Sequence, residues 1–128
     1  MGLKRLISGF KYALLGLLHI LRSERNARIH LVIACVVLAV GLYLQVSPAE
    51  LAAIFFAIII VFVAEVLNTA IEKTLDLIEP EFNGKVAIIK DMAAGAVLVA
   101  AVGAIIIGVV IFLPYILPFT FGIPWLRR

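Results

Sequence analysis

Three stretches without a charged residue, 31–49, 51–64 and 92–126, limit what this chain can fold into. The first is nineteen residues long, enough for a helix at 1.5 Å per residue to cross a hydrocarbon layer of about 30 Å. The second has fourteen and reaches a spanning length of about 20 residues only by running on through Glu65. The third, thirty-five residues long, is too long for one simple span. Pro114, Pro118 and Pro124 place its end near Leu113. Residues 114–128 would then form an irregular tail, with Tyr115 and Trp125 as interfacial anchors. A backbone inside lipid must satisfy its own hydrogen bonds, so these segments are expected to be helices. With 65% hydrophobic and 15% charged residues, the chain falls outside the composition of soluble domains. The expectation is one all-α membrane domain over 1–128, with spans at 31–49, 51–78 and 92–113.

Residues 1–28 read differently. Leu3, Leu6, Ile7, Phe10, Leu14, Leu17, Leu18 and Leu21 recur at three- and four-residue steps, while Lys4, Lys11 and Arg22 fall mostly opposite. This pattern predicts a basic amphipathic helix lying in the membrane interface. Six of the eleven basic residues precede the first apolar run, and the connection at 47–50 has none. Lys73, Lys85 and Lys90 flank the second polar connection. That asymmetry puts the N-terminus and the polar loop within 72–91 in the cytoplasm, against the weaker pull of Arg127 and Arg128. Ser47 and Pro48 are set up as N-cap and first turn of the second span. Ala96, Ala100, Ala104 and Gly108 form a small-residue face suited to close helix packing. Cys35, the single cysteine, excludes an intramolecular disulfide.

The chemistry is concentrated where the second span leaves the membrane. At about 100° per residue, Glu65, Asn68, Thr69, Glu72 and Asp76 share one stripe of a helix roughly 100° wide. Polar groups at membrane depth are expensive and read as functional, although polar glue between packed helices is the other reading. Seven of the eight acidic residues fall on or near the cytoplasmic side, which suits a cation such as magnesium bound together with substrate phosphates. Glu65 and Glu72 are two turns apart, about 10 Å along the axis. The shallower Glu72 can face metal and nucleotide while Glu65 faces a membrane-held substrate. A carboxylate withdrawn from water is also the better general base. Gly84-Lys85 is followed by Val86 and lacks an upstream glycine, so it is not a phosphate-binding P-loop. His19 and His30 read as interfacial polar residues rather than metal ligands.

The core Glu65-Val66-Leu67-Asn68-Thr69-Ala70-Ile71-Glu72, followed by Asp76 and by Lys90-Asp91-Met92-Ala93-Ala94-Gly95-Ala96-Val97, closely resembles the prokaryotic diacylglycerol kinase and undecaprenol kinase family. The resemblance runs from about Arg5 to Leu113. Ser23-Glu24-Arg25-Asn26 and Ala93 to Val97 look more like the undecaprenol branch. It implies a homotrimer of three-span chains, each with an N-terminal surface helix, in the bacterial inner membrane. Active sites would be shared between subunits near the cytoplasmic face. It further implies ATP as phosphoryl donor, Mg2+, and a lipid alcohol as acceptor, with undecaprenol slightly preferred over diacylglycerol. By resemblance, Glu65 is the general base beside the substrate, Asn68 belongs to the same face, and Glu24 and Glu72 hold the metal. Arg5, Tyr12, Lys90 and Asp91 contact the nucleotide, and Arg28 is a basic residue near the substrate. Glu81, Phe82 and Asn83 occupy a nucleotide-contacting loop, although Asn83 replaces the family's histidine. The rival from another class is a small oligomeric pore or assembly protein whose carboxylates line an aqueous path.

Overall fold

The computed structural model describes residues 2–121, folded into four helices: α1 (Gly2–Ser23), α2 (Arg25–Tyr43), α3 (Pro48–Ile78) and α4 (Gly84–Phe121). Three of them, Arg25–Tyr43, Pro48–Ile78 and the Gly84–Leu117 part of α4, are long and apolar enough to cross a membrane. α3 is the central element, with α2 and α4 both packed on it. The roles expected for Pro124, Trp125, Arg127 and Arg128 lie outside the described residues.

The boundary between α1 and α2 falls at Glu24, not after Arg28. Glu24 is a single extended residue, φ −101° and ψ 123°, between two helices. Its N–H closes α1 by donating to the Ile20 carbonyl at 2.8 Å. No proline or glycine marks this break. Arg25 to His30 therefore form the first turns of α2, and the helix ends at Tyr43 rather than reaching residue 49.

α2 stops in a Schellman turn. Val46 N–H donates to the Gly41 carbonyl at 3.1 Å and Gln45 N–H to the Leu42 carbonyl at 3.2 Å, with Gln45 left-handed at φ 55°. Two residues later Ser47 opens α3 as its sequence predicts. Its hydroxyl accepts from Glu50 N–H at 3.3 Å, and Ser47 N–H donates to Glu50 Oε2 at 2.8 Å, completing a capping box with Pro48 in the first turn. Val46, Ile54 and Ile111 are the buried centre of an apolar cluster at this end of the molecule.

α4 contradicts the expected end near Leu113, because the helix continues through Pro114 and Pro118 to Phe121. Proline removes one backbone donor and crowds the preceding turn. Inside an apolar bundle, neighbouring groups and local adjustment absorb that loss. The segment past Pro114 is also tied down, since Tyr115 OH donates to Glu50 Oε2 at 2.7 Å. Tyr115 is thus a helix-to-helix contact rather than part of an irregular tail. Side chains such as Val32, Phe56, Ile60, Val99, Ile106 and Val110 are exposed over the outside of the spans, where lipid is the natural solvent.

Candidate active site

The polar stripe of α3 turns inward. Glu65 is 3% exposed, Asn68 7% and Thr69 3%, and these three are the buried polar residues of the described chain. Glu72 is half-buried and Asp76 exposed, so the stripe climbs from the protein interior to its surface over three turns. Asn68 Nδ2 donates to Glu72 Oε1 at 3.0 Å, an i to i+4 contact along the helix. Asn68 Oδ1 is buried and has no hydrogen-bond partner among the described residues. A buried amide oxygen in that state costs free energy, which is tolerated where the atom serves a ligand.

Two ion pairs gather the neighbouring elements around this end of α3. Lys73 Nζ lies 2.9 Å from Glu24 Oε1, joining the α1–α2 break to α3. Ser23 Oγ donates to the same oxygen at 2.9 Å. The hydrogen bond from Lys73, followed by that from Ser23, holds the Glu24 carboxyl below the usual carboxylate range. Lys90 Nζ pairs with Asp76 Oδ1 and fastens the start of α4 to α3. His30, Glu72 and Glu24 all lie within electrostatic reach of Glu65. Carboxylates from two parts of the chain thus sense Glu65 without meeting at ligand distance.

The other expected residues divide into groups. Arg5 and Tyr12 are exposed on α1, and Asp91 is exposed beside Lys90 on α4. Arg28 Nη1 donates to the Arg22 carbonyl at 2.9 Å, so its guanidinium caps the end of α1. Glu81 and Phe82 are exposed in the α3–α4 connection, Phe82 at 94%. Asn83 also has a structural role, because its Oδ1 accepts from Lys85 N–H at 3.0 Å and caps α4. Neither Lys73 nor His30 is among the site residues expected from the sequence. Lys73 read only as a charge flanking a loop, and its partner Glu24 is 49 positions away (73 − 24).

Among the described residues no three His, Cys, Asp or Glu side chains converge as a ready-made metal site. The available donors are carboxylate oxygens of Glu24 and Glu72 and the unpartnered Asn68 Oδ1, all hard oxygens that suit magnesium. Below the site, α2, α3 and α4 enclose an apolar groove of about 640 Å³. It runs from Ile54 and Phe112 up to Val63 and His30, and His30 is its polar lining residue.

Three bilayer-length helices with a buried carboxylate and amide at one end define a multi-pass membrane protein whose polar site adjoins an apolar groove. The sequence model described as "Prokaryotic diacylglycerol kinase" matches residues 11–112. The undecaprenol kinase of Bacillus subtilis is 44% identical over 112 residues, covering 88% of this chain and 91% of that protein. A diacylglycerol kinase of Synechocystis sp. is 34% identical over 113 residues, 88% of this chain and 65% of that one. A diacylglycerol kinase of Pseudomonas aeruginosa is 33% identical over 99 residues, covering 77% and 80%. The chain belongs to the prokaryotic diacylglycerol kinase family and is a lipid kinase.

Proposed function

We propose that this lipid kinase moves the γ-phosphoryl group of ATP, with Mg2+, onto the hydroxyl of a membrane lipid alcohol, undecaprenol in preference to diacylglycerol. The higher identity to an undecaprenol kinase than to the two diacylglycerol kinases supports that preference. The observation that carries the mechanism is Glu65, a carboxylate 3% exposed at the inner end of the polar stripe, above an apolar groove.

The groove would take the hydrocarbon chain of the acceptor and leave its hydroxyl at Glu65, so a small protein needs no deep aqueous pocket. Glu65 accepts the hydroxyl proton on a carboxylate oxygen as the lipid oxygen bonds to the γ-phosphorus. The bond from that phosphorus to the bridging oxygen breaks, and ADP leaves. Such transfers depend on positioning and on neutralising charge more than on covalent chemistry. Glu24 and Glu72 would hold the metal, which when bound neutralises phosphate charge. Asn68 orients Glu72 through their 3.0 Å hydrogen bond. Arg5, Tyr12, Lys90, Asp91 and the 81–83 connection are the proposed nucleotide contacts, and Arg28 is the proposed basic residue near the lipid substrate. The asymmetry of basic residues supports a cytoplasmic site in a bacterial inner membrane. The apolar residues of α1 at three- and four-residue steps support a surface helix, and the small residues of α4 support a homotrimer.

Purified protein given γ-labelled ATP, magnesium and each lipid in turn tests this reading. Label should enter undecaprenol faster than diacylglycerol. Faster labelling of diacylglycerol would reverse the assigned preference, and no label in any lipid alcohol would overturn the function.

A further inference from the structure

Lys73 sits on a carboxylate proposed to hold the metal. Its ammonium is 2.9 Å from Glu24 Oε1, an oxygen that already accepts from Ser23 Oγ at 2.9 Å. Lys73 also directly follows Glu72, the other proposed ligand. Glu24 and Glu72 both lie within electrostatic reach of Glu65, so a cation on Glu24 lowers the repulsion there before any metal arrives. A divalent ion on Glu24 Oε1 repels the Lys73 ammonium and weakens its hold on that oxygen.

We propose that Lys73 is an exchange cation of the nucleotide site. It neutralises Glu24 in the empty enzyme, yields that oxygen to the metal entering with ATP, and turns its ammonium to the phosphate oxygens. This rests on the proposed role of Glu24 as a metal ligand. The side chains of Lys73 and Glu24 are 47% and 26% exposed, so the pair is screened and readily exchanged. A lysine has a flexible stem and three donors on a compact charge, which suits such a transfer between partners. Bare metal must displace Lys73 and leave it without a partner. Metal carrying ATP brings the phosphates that receive it. The arrangement therefore disfavours metal without nucleotide.

A plain brace between the α1–α2 break and α3 would behave in the opposite way, since removing a brace loosens the site and weakens every ligand. The test uses the full chain in detergent, with Mn2+ as the probe and free Mn2+ read by electron paramagnetic resonance. Without nucleotide, Lys73→Met should bind Mn2+ about two- to five-fold more tightly than the wild type, the range set by losing one exposed ion pair. Lys73→Gln should tighten it likewise, and Lys73→Arg should stay at the wild-type affinity. With ATP present, Lys73→Met should bind the metal–nucleotide complex more weakly. Unchanged or weaker binding of bare Mn2+ in both neutral variants overturns the exchange role. If Glu24→Gln leaves Mn2+ affinity intact, the metal reading of Glu24 fails and the exchange role falls with it. If Glu24→Gln weakens Mn2+ binding while the Lys73 variants do not tighten it, only the exchange role fails.

Discussion

Replacing Asn68 with leucine should separate folding from function. Asn68 is 7% exposed, and its side chain contributes two opposing quantities. The hydrogen bond from Nδ2 to the Glu72 carboxylate, at 3.0 Å, stabilises by about 1.5–3 kcal/mol, as bonds to charged groups do. The buried Oδ1 without a partner costs about 1–3 kcal/mol. Asn68→Leu removes both at similar side-chain volume, and leucine forms helix better by a few tenths of a kcal/mol. Glu72 is half-buried and can turn toward water. The net change in stability should stay within about 1 kcal/mol of zero. Activity should respond quite differently. Losing a group that orients a metal ligand typically costs about 10–100-fold in metal affinity or rate. The assay is SDS titration of helical circular dichroism for stability, paired with a magnesium titration of ATP-dependent lipid phosphorylation. Destabilisation beyond about 2 kcal/mol would show that Asn68 serves the fold. An unchanged magnesium titration would show that its free oxygen and its hold on Glu72 serve no ligand.

Two further outcomes follow from local geometry. Lys73 holds the Glu24 carboxyl below its usual value of 4.5, so the pair stabilises the fold above about that pH and loses its effect as pH falls through the depressed value. An acid titration of stability should therefore be flatter in Glu24→Gln than in the wild type; parallel curves would refute the linkage. Gln45 holds a left-handed φ of 55° in the Schellman turn, a conformation that costs a non-glycine residue about 1–2 kcal/mol. Gln45→Gly should raise stability by about 0.5–1 kcal/mol in the same SDS titration, after the entropy cost of glycine. A loss of stability would mean that the exposed Gln45 side chain matters more than its backbone.

The polar stripe of α3 was legible because helical periodicity alone puts Glu65, Asn68, Thr69 and Glu72 together, and the first three are buried while Glu72 is half-buried. The N-cap at Ser47 with Pro48 in the first turn was legible because the signal is local; the return bond to Glu50 that completes a capping box was not read. What periodicity could not supply was long-range partnership. Glu24–Lys73 and Tyr115–Glu50 join residues far apart in the chain, and each overrides a local signal. Tyr115 lies in a helix that prolines were expected to end. Glu24 breaks the helix without a glycine or proline to announce it. Asn83, expected only in a nucleotide loop, is also bound to the start of α4. The family resemblance pointed to Glu24 as part of the site, but it gave no reason to look at Lys73.

The proposed mechanism rests on Glu65 taking the proton from the lipid hydroxyl. Glu65→Gln keeps size and shape in a site 3% exposed and removes only the basic oxygen. The decisive measurement is the turnover number of Glu65→Gln with saturating ATP and lipid, taken together with ATP binding to the same preparation. Turnover should fall by about 10²–10⁴-fold, roughly 3–5 kcal/mol in the barrier, with ATP affinity unchanged. Turnover within about tenfold of wild type would contradict the role of Glu65 as base, as would loss of ATP binding in the folded variant.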